Sequence, residues 1–249
     1  MLFRSVKVAR AANYSNAGTI EFLLDDKGRY YFLEMNTRLQ VEHPITELVT
    51  GTDLVIEQLK IAAGQKLNPE LKNAVQKGHA IECRIYAEDG ENKFLPSTGT
   101  LLLYHEPTGP GIRVDSGVMQ GSEITINYDP IMSKLIVHAP DRATAISKMI
   151  EALNNYKIIG VKTSRQFMVD ILKHPEFTAG RTYTSFIDDN LANRGIVGKE
   201  IQELAAATAA VYSTLIANRK TSAYNGSIES NPSPWQLLGN WSIGSSINE

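Results

Sequence analysis

Gly18-Thr19-Ile20-Glu21-Phe22 and Phe32-Leu33-Glu34-Met35-Asn36-Thr37-Arg38 face each other across the turn-like Asp26-Lys27-Gly28. Thr19 to Leu24 and Tyr30 to Asn36 read as the two strands of a hairpin. With Lys27-Gly28 as a two-residue turn, Asp26 faces Arg29 and Glu21 falls opposite Glu34. A four-residue loop from Asp26 to Arg29 keeps that register; a three-residue loop moves it by one. Side chains alternate along a strand, so Asn36 shares the face of Glu34. Two facing carboxylates repel unless a cation lies between them. Hard divalent cations favour such oxygens, and Mg²⁺ completes its shell with water and substrate phosphates. The patch therefore reads as a Mg-nucleotide site. The solvated polar face of an amphipathic hairpin is the other reading of the same spacing.

The next residues are Leu39-Gln40-Val41-Glu42-His43-Pro44. Arg38 is a fixed cation with a planar fork suited to an oxyanion. Glu42 can act as a base or as a salt-bridge partner, although Arg and Glu four apart are usually a surface pair. Pro44 marks the end of the strand and reads as loop, where charged residues beside a metal patch are strong functional candidates.

Working outward, a helix-like stretch ends near Tyr14, broken by Ser15-Asn16-Ala17-Gly18, and a second helix is expected from about Asp53 to Ala63, capped by Asp53 or Thr52 and closed by Gly64. Strands are expected at His79–Tyr86, Thr100–Tyr104, Ile112–Ser116, Glu123–Asn127 and Leu135–His138. Asp141 caps a helix carrying Ala143, Ile146, Ile150 and Leu153 at helical spacing. Thr163 and Gln166 form a capping box for another, which His174-Pro175 stops. A last helix near 200–217 precedes a linker-like, Ser-, Asn- and Pro-rich tail with Trp235 and Trp241. The fold class is α+β, in three regions: 1–66, 67–190 and 191–249.

Composition excludes several classes. The 249 residues carry 25 basic and 27 acidic side chains, a formal net charge of −2, which gives no electrostatic reason to expect nucleic acid or a membrane surface as partner. With Cys83 as sole cysteine, an internal disulfide is impossible; it reads as a core residue. No apolar run reaches the ~18–20 residues of a membrane span, and the N-terminus has no signal core. The expected location is cytoplasmic, with the mitochondrial matrix as the alternative. Met1 to Ser5 run without a linker into the first helix and read as foreign to the rest of the chain, as in a gene fragment. His79, His105, His138 and His174 lack metal spacing; His43 divides between site support and turn packing.

At Phe32 to Pro44 the chain resembles the signature of biotin carboxylases in the ATP-grasp superfamily. Gly78-His79-Ala80-Ile81-Glu82-Cys83-Arg84-Ile85-Tyr86-Ala87-Glu88-Asp89, Phe94-Leu95-Pro96-Ser97-Thr98-Gly99 and Tyr128-Asp129-Pro130-Ile131-Met132-Ser133-Lys134-Leu135-Ile136 are similar to further motifs of that family, in order. The resemblance covers roughly 6–190. It implies the C-terminal half of an ATP-grasp domain followed by a biotin carboxylase C-terminal domain, an antiparallel sheet with helices. The tail, Ser233-Pro234-Trp235 followed by Trp241, resembles the stretch after the carboxylase core in alpha subunits of propionyl-CoA and methylcrotonyl-CoA carboxylases.

The resemblance also implies roles. Glu21, Glu34 and Asn36 look like the ligands of Mg²⁺ or Mn²⁺ that hold ATP. Arg38 resembles the arginine that stabilises the enolate-like form of biotin. Gln40, Val41 (through its backbone) and Glu42 resemble the bicarbonate site, Glu42 as the base. Arg84 looks like the arginine that contacts biotin and phosphate. Arg113 falls where the family often makes its dimer contact. Asp129 and Lys134 read as buttresses of the site or of a subunit interface, or as ordinary surface charges. The implied partners are a biotin carrier domain outside this chain, a carboxyltransferase subunit, and a homodimer or larger complex. Lys7 is the sole lysine before Glu21 and no glycine precedes Gly18, so the family's glycine-rich phosphate loop and upstream lysines, including the bicarbonate-binding one, are missing from these residues. The expectation is a carboxylase component that is inactive alone. The alternatives are a non-catalytic assembly module of a carboxylase complex, or a different ATP-grasp ligase.

Overall fold

The computed structural model describes residues 2–90, 92–191, 204 and 206–213. The elements run α1 (Leu2–Ala11), β1 (Thr19–Leu24), β2 (Tyr30–Asn36), α2 (His43–Thr50), α3 (Leu54–Ala62), β3 (His79–Tyr86), β4 (Glu88–Asp89), β5 (Leu95–Pro96), β6 (Gly99–Thr100), β7 (Leu103–His105), β8 (Ile112–Ser116), β9 (Glu123–Ile124), β10 (Ile131–Ala139), α4 (Arg142–Asn155), β11 (Lys157–Ile159), α5 (Arg165–Lys173), α6 (Pro175–Thr178) and α7 (Phe186–Leu191). The chain divides into two units, Met1–Ala192 and Asn193–Glu249. Within the second, 206–213 are helical and Thr208 Oγ1 donates to Leu204 O at 2.8 Å. Trp235 and Trp241 lie outside the described residues.

β10 is the centre of an antiparallel sheet ordered β3-β10-β8. Its partners alternate in character. Leu135 faces Cys83 and Val114, whereas Lys134 faces Arg84 and Asp115. One face therefore carries Ile81, Cys83, Ile85, Leu135 and Val137, which pack with Ala145, Ile146, Met149 and Leu153 of α4 and Val169 and Leu172 of α5. Complete burial of each large aliphatic side chain contributes about 1.5–3 kcal/mol, so this layer dominates the stability of the unit. Cys83 is part of it, and burial pushes its thiol up to about 12, which leaves it unreactive. The opposite face presents two rows of charge, Arg84-Lys134-Asp115 and Glu82-Ile136-Arg113, and α2 lies against it.

Helix starts follow their caps. Asp53 accepts from Ile56 N at 2.8 Å, and Asp141 accepts from Thr144 N and Oγ1, each at 2.8 Å. The expected Thr163/Gln166 box is not formed. Ser164 is the N-cap of α5 without a capping side chain; its Oγ accepts from Tyr86 N at 3.3 Å, and Gln166 turns to Asp170. The expected strand over Thr100–Tyr104 is two strands. Leu101 N bonds Ser122 O and Leu102 N bonds Ile159 O, so the chain changes partner there. The expected Glu123–Asn127 strand is only Glu123–Ile124, and the one expected at Leu135–His138 extends to Ile131–Ala139. Pro44 is not loop: it occupies the first turn of α2, where a missing N–H costs no helical bond.

Candidate functional site

The hairpin turn is neither of the forms that keep the acidic register by themselves. Asp25 N donates to Arg29 O at 2.9 Å and Gly28 N to Asp25 O at 3.1 Å, which closes a three-residue loop. Gly28 sits at φ 73, the left-handed position such loops require. The outer pairs are shifted by one, with Leu24 opposite Tyr30 and Phe22 opposite Phe32. A bulge at Leu33 then restores Glu21 opposite Glu34 and Thr19 opposite Asn36. The bulge also separates two chemistries. Paired residues share a face, so Phe22 and Phe32 lie opposite the carboxylates and meet edge to face, centroids 6.3 Å apart.

Glu21, Glu34 and Asn36 do converge. Asn36 Nδ2 donates to Glu21 Oε1 at 2.8 Å and to Glu34 Oε1 at 3.0 Å, so a donor lies between the two carboxylates. Gln40 Nε2 reaches Glu21 Oε1 at 3.4 Å. Amide nitrogen and oxygen exchange by a half-turn, so the same three side chains can present hard oxygens to one cation. Among the described residues no group of three or more His, Cys, Asp and Glu side chains is arranged to hold a metal ion; the two-glutamate, one-amide set is the candidate for a hard cation. Arg38 is exposed beside it, with long contacts to Leu39 O at 3.4 Å and Asn36 Oδ1 at 3.5 Å. Its guanidinium is thus weakly committed.

A second group forms where the loop after β2 crosses the charged sheet face. Arg84 donates to Glu42 Oε2 at 2.6 Å, and Lys134 Nζ donates to Val41 O at 2.8 Å. Lys134 also lies 3.2 Å from Asp115 Oδ2, and Arg113 holds Asp115 through two bonds of 2.8 and 2.9 Å. Burial would raise the Asp115 carboxyl, but the bonds and charges of Arg113 and Lys134 outweigh it and hold it low. Arg113 continues to Glu47 at 2.8 Å, and the buried Glu47 accepts from Leu54 N at 2.7 Å, a carboxylate at the start of α3. His43 Nδ1 lies 2.8 Å from Gln40 O. Glu82 stands at the rear of this group, and burial pushes its carboxyl up to about 7 against the pull of Lys134 and Arg84.

The structure thus brings Glu21, Glu34, Asn36, Gln40 and Arg38 to one patch and Val41, Glu42 and Arg84 to a second along the same loop. Lys134 buttresses the loop, whereas Asp129 is exposed. Arg113 is engaged within the chain by Asp115 and Glu47. Glu47, Glu82 and Asp115 carry no signal of their own in the sequence. Cross-strand pairing of β3 and β8 with β10 is what places Glu82 and Asp115, and it requires the register.

Residues 82–189 match the biotin carboxylase C-terminal domain family, and residues 1–70 match the ATP-binding domain of the carbamoyl-phosphate synthase L chain. The chain carries a biotin carboxylase C-terminal domain preceded by part of an ATP-binding domain, and it has the ATP-grasp biotin carboxylase fold. It is 50% identical over 185 residues to a biotin carboxylase of Nostoc sp., covering 74% of this chain and 41% of that protein. It is 46% identical over 201 residues to the rat mitochondrial methylcrotonoyl-CoA carboxylase subunit alpha, covering 79% and 28%. It is 48% identical over 188 residues to the human mitochondrial propionyl-CoA carboxylase alpha chain, covering 75% and 26%. The biotin carboxylase domain of a thermophilic 2-oxoglutarate carboxylase bound to bicarbonate superposes with a TM-score of 0.72 at 45% identity, over 74% of this chain and 42% of that one. The Hydrogenobacter thermophilus domain dimer in complex with MgADP, ADP and bicarbonate gives the same score over 74% and 41%. The chain therefore spans less than half the length of these biotin carboxylase relatives. No helix among the described residues is long and apolar enough to cross a membrane.

Proposed function

We propose that this chain supplies the acidic and bicarbonate-binding part of a biotin carboxylase site, in which ATP and bicarbonate give carboxyphosphate and biotin on a carrier domain accepts the carboxyl group. The observation that carries the reading is the meeting of Glu21 and Glu34 on Asn36 beside a loop held to Arg84 and Lys134. Glu21, Glu34 and Asn36 would hold Mg²⁺ or Mn²⁺, which when bound neutralises phosphate charge. Glu42 takes the proton of bicarbonate, with Gln40 and the Val41 backbone orienting the anion. Arg84 binds oxyanion charge next to Glu42. Arg38, with its weakly committed guanidinium, stabilises charge that develops late on the acceptor. In this reading residues 1–66 are the end of an ATP-grasp domain, 67–190 the C-terminal domain, and 191–249 lead towards a subunit-binding region. A carrier domain, a carboxyltransferase subunit and a second copy are the implied partners; a bacterial cytoplasm and a mitochondrial matrix both suit the relatives.

The test is a chimera in which this chain replaces the matching segment of the Nostoc biotin carboxylase. Arg38→Ala should lower biotin carboxylation by on the order of 10²–10³ while leaving Mg-ATP affinity nearly unchanged. Glu42→Ala should lower bicarbonate-dependent ATP hydrolysis. Glu34→Ala should weaken metal-nucleotide binding. If Arg38→Ala and Glu34→Ala both change only the apparent ATP affinity, this division of roles is wrong. The 249 residues alone should show no biotin-stimulated ATP hydrolysis, because no glycine-rich phosphate loop lies before Glu21; steady bicarbonate-dependent turnover would refute that.

A further inference from the structure

Glu82 is a buried carboxylate that the reaction as described does not use. Its side chain is 6% exposed, Oε2 has no hydrogen-bond partner among the described residues, and Oε1 lies 3.9 Å from Arg84 Nε. Buried polar atoms are almost always satisfied, so an orphaned carboxylate oxygen needs a reason. Arg84 lies between two acids. It is bonded to the half-exposed Glu42 at 2.6 Å and stops short of Glu82.

The charge balance of the face supplies the reason. Three cations, Arg84, Lys134 and Arg113, meet four carboxylates, Glu42, Asp115, Glu47 and Glu82. These come from every element around Glu82: β3, β8, β10, the loop before α2, and α2 itself, which also places His43 3.9 Å from Glu47. With Glu42 ionised, cations and anions balance when Glu82 is neutral. With Glu42 protonated, they balance when Glu82 is ionised. Glu82 is buried, so an unbalanced charge there is costly even though Arg84 and Glu42 are partly exposed, and the two carboxyls are coupled through the arginine between them.

We infer that Glu82 is a positioning residue for the bicarbonate step: it receives the Arg84 guanidinium when Glu42 gives it up on accepting a proton. The inference rests on the reading of Glu42 as the base. The proton moves from bicarbonate oxygen to the Glu42 carboxylate; any proton that Glu82 carries passes to water as Arg84 swings to its free oxygen. The bond from Arg84 to Glu42 is replaced by one to Glu82, so the guanidinium stays charged and near the anion instead of turning to solvent. That burial already holds Glu82 near neutrality makes both of its forms accessible at working pH.

The coupling is measurable in this chain without turnover. Carbon-13 NMR of labelled glutamate follows Glu82, assigned with Glu82→Gln, and nitrogen-15 NMR follows Arg84 Nε. Glu42→Gln stands in for protonated Glu42. It should lower the Glu82 midpoint by about one unit and shift the Arg84 Nε resonance as the guanidinium changes partner. In an Arg84→Gln background, Glu42→Gln should move the Glu82 midpoint much less. An unchanged Glu82 midpoint on Glu42→Gln, or the same change with and without Arg84, overturns the proposal. In the chimera, Glu82→Gln should lower kcat/KM for bicarbonate about tenfold and have little further effect when Arg84 is already glutamine. Additive losses would instead mark a purely structural role and refute the proposal. Should Glu42→Gln and Arg84→Gln leave bicarbonate-dependent hydrolysis intact, the assignment of the site fails, independently of the NMR result.

Discussion

Replacing Glu82 by glutamine should change how the stability of the chain depends on pH, by an amount set by its burial. The carboxyl is pushed from an ordinary 4.5 up to about 7 in the folded state. Between those values the folded chain holds more protons than the unfolded chain, so stability falls as pH rises through the window. At 1.36 kcal/mol per unit, the cost at pH 8 relative to pH 4 is about 3 kcal/mol. Glutamine keeps the shape and cannot ionise. Groups that are not coupled to Glu82 titrate alike in both proteins and cancel in the difference. The stability of Glu82→Gln minus that of the parent should therefore rise by about 3 kcal/mol from pH 4 to pH 8. With a urea slope of about 2 kcal/mol per molar, the midpoint difference changes by about 1.5 M. Urea titrations followed by far-ultraviolet circular dichroism measure it directly. A constant difference across the range would mean that Glu82 is ionised at no cost, and the reasoning from its orphaned oxygen would fall.

Gly160→Ala should destabilise the chain by more than about 4 kcal/mol, seen as a lowered urea midpoint or as insoluble protein. Its backbone is at φ +120, and a Cβ would stand 1.9 Å from Thr100 O, where β7 and β11 meet the preceding strand. Lys134→Met should raise the bicarbonate KM of the chimera about fivefold and leave the ATP KM alone, because Val41 O loses a charged donor while the hairpin is untouched. An effect confined to ATP would contradict the assignment of the Val41–Glu42 loop.

The strands β1, β2, β3 and β8 are legible residue by residue, because alternation and turn residues are local signals. The loop of the hairpin is not. Gly28 suits a two-residue and a three-residue turn equally, and nothing in the composition around Leu33 announces a bulge. The acidic pair is placed correctly because bulge and loop each shift the register by one and cancel. α2 is hidden behind Pro44, which reads as an end and is a beginning. The ties that hold the site are the least visible. Glu47 meets Arg113 across 66 positions, and Val41 meets Lys134 across 93. No periodicity carries that information; the pairing of β10 with its two neighbours does.

Those ties hold the loop after β2 firmly at one end and loosely at the other. The core face of the sheet is sealed by aliphatic packing, while the charged face is joined to the loop through single polar contacts. Glu47 is the firm end: 8% exposed, it joins α2, the start of α3 and Arg113. Towards Glu42 the contacts become more exposed, with Arg84 at 38% and Glu42 at 47%. An exposed pair of that kind contributes only about 0–1 kcal/mol. Arg84 can therefore leave Glu42 at little cost, whereas the backbone that carries Glu42 is held from two sides, by Lys134 at Val41 O and by Glu47 one helical turn on. A main chain held at Val41 and Glu47, with the Glu42 carboxylate bound to Arg84 through an exposed pair, would suit the base proposed at Glu42, which has to change its charge without losing its position.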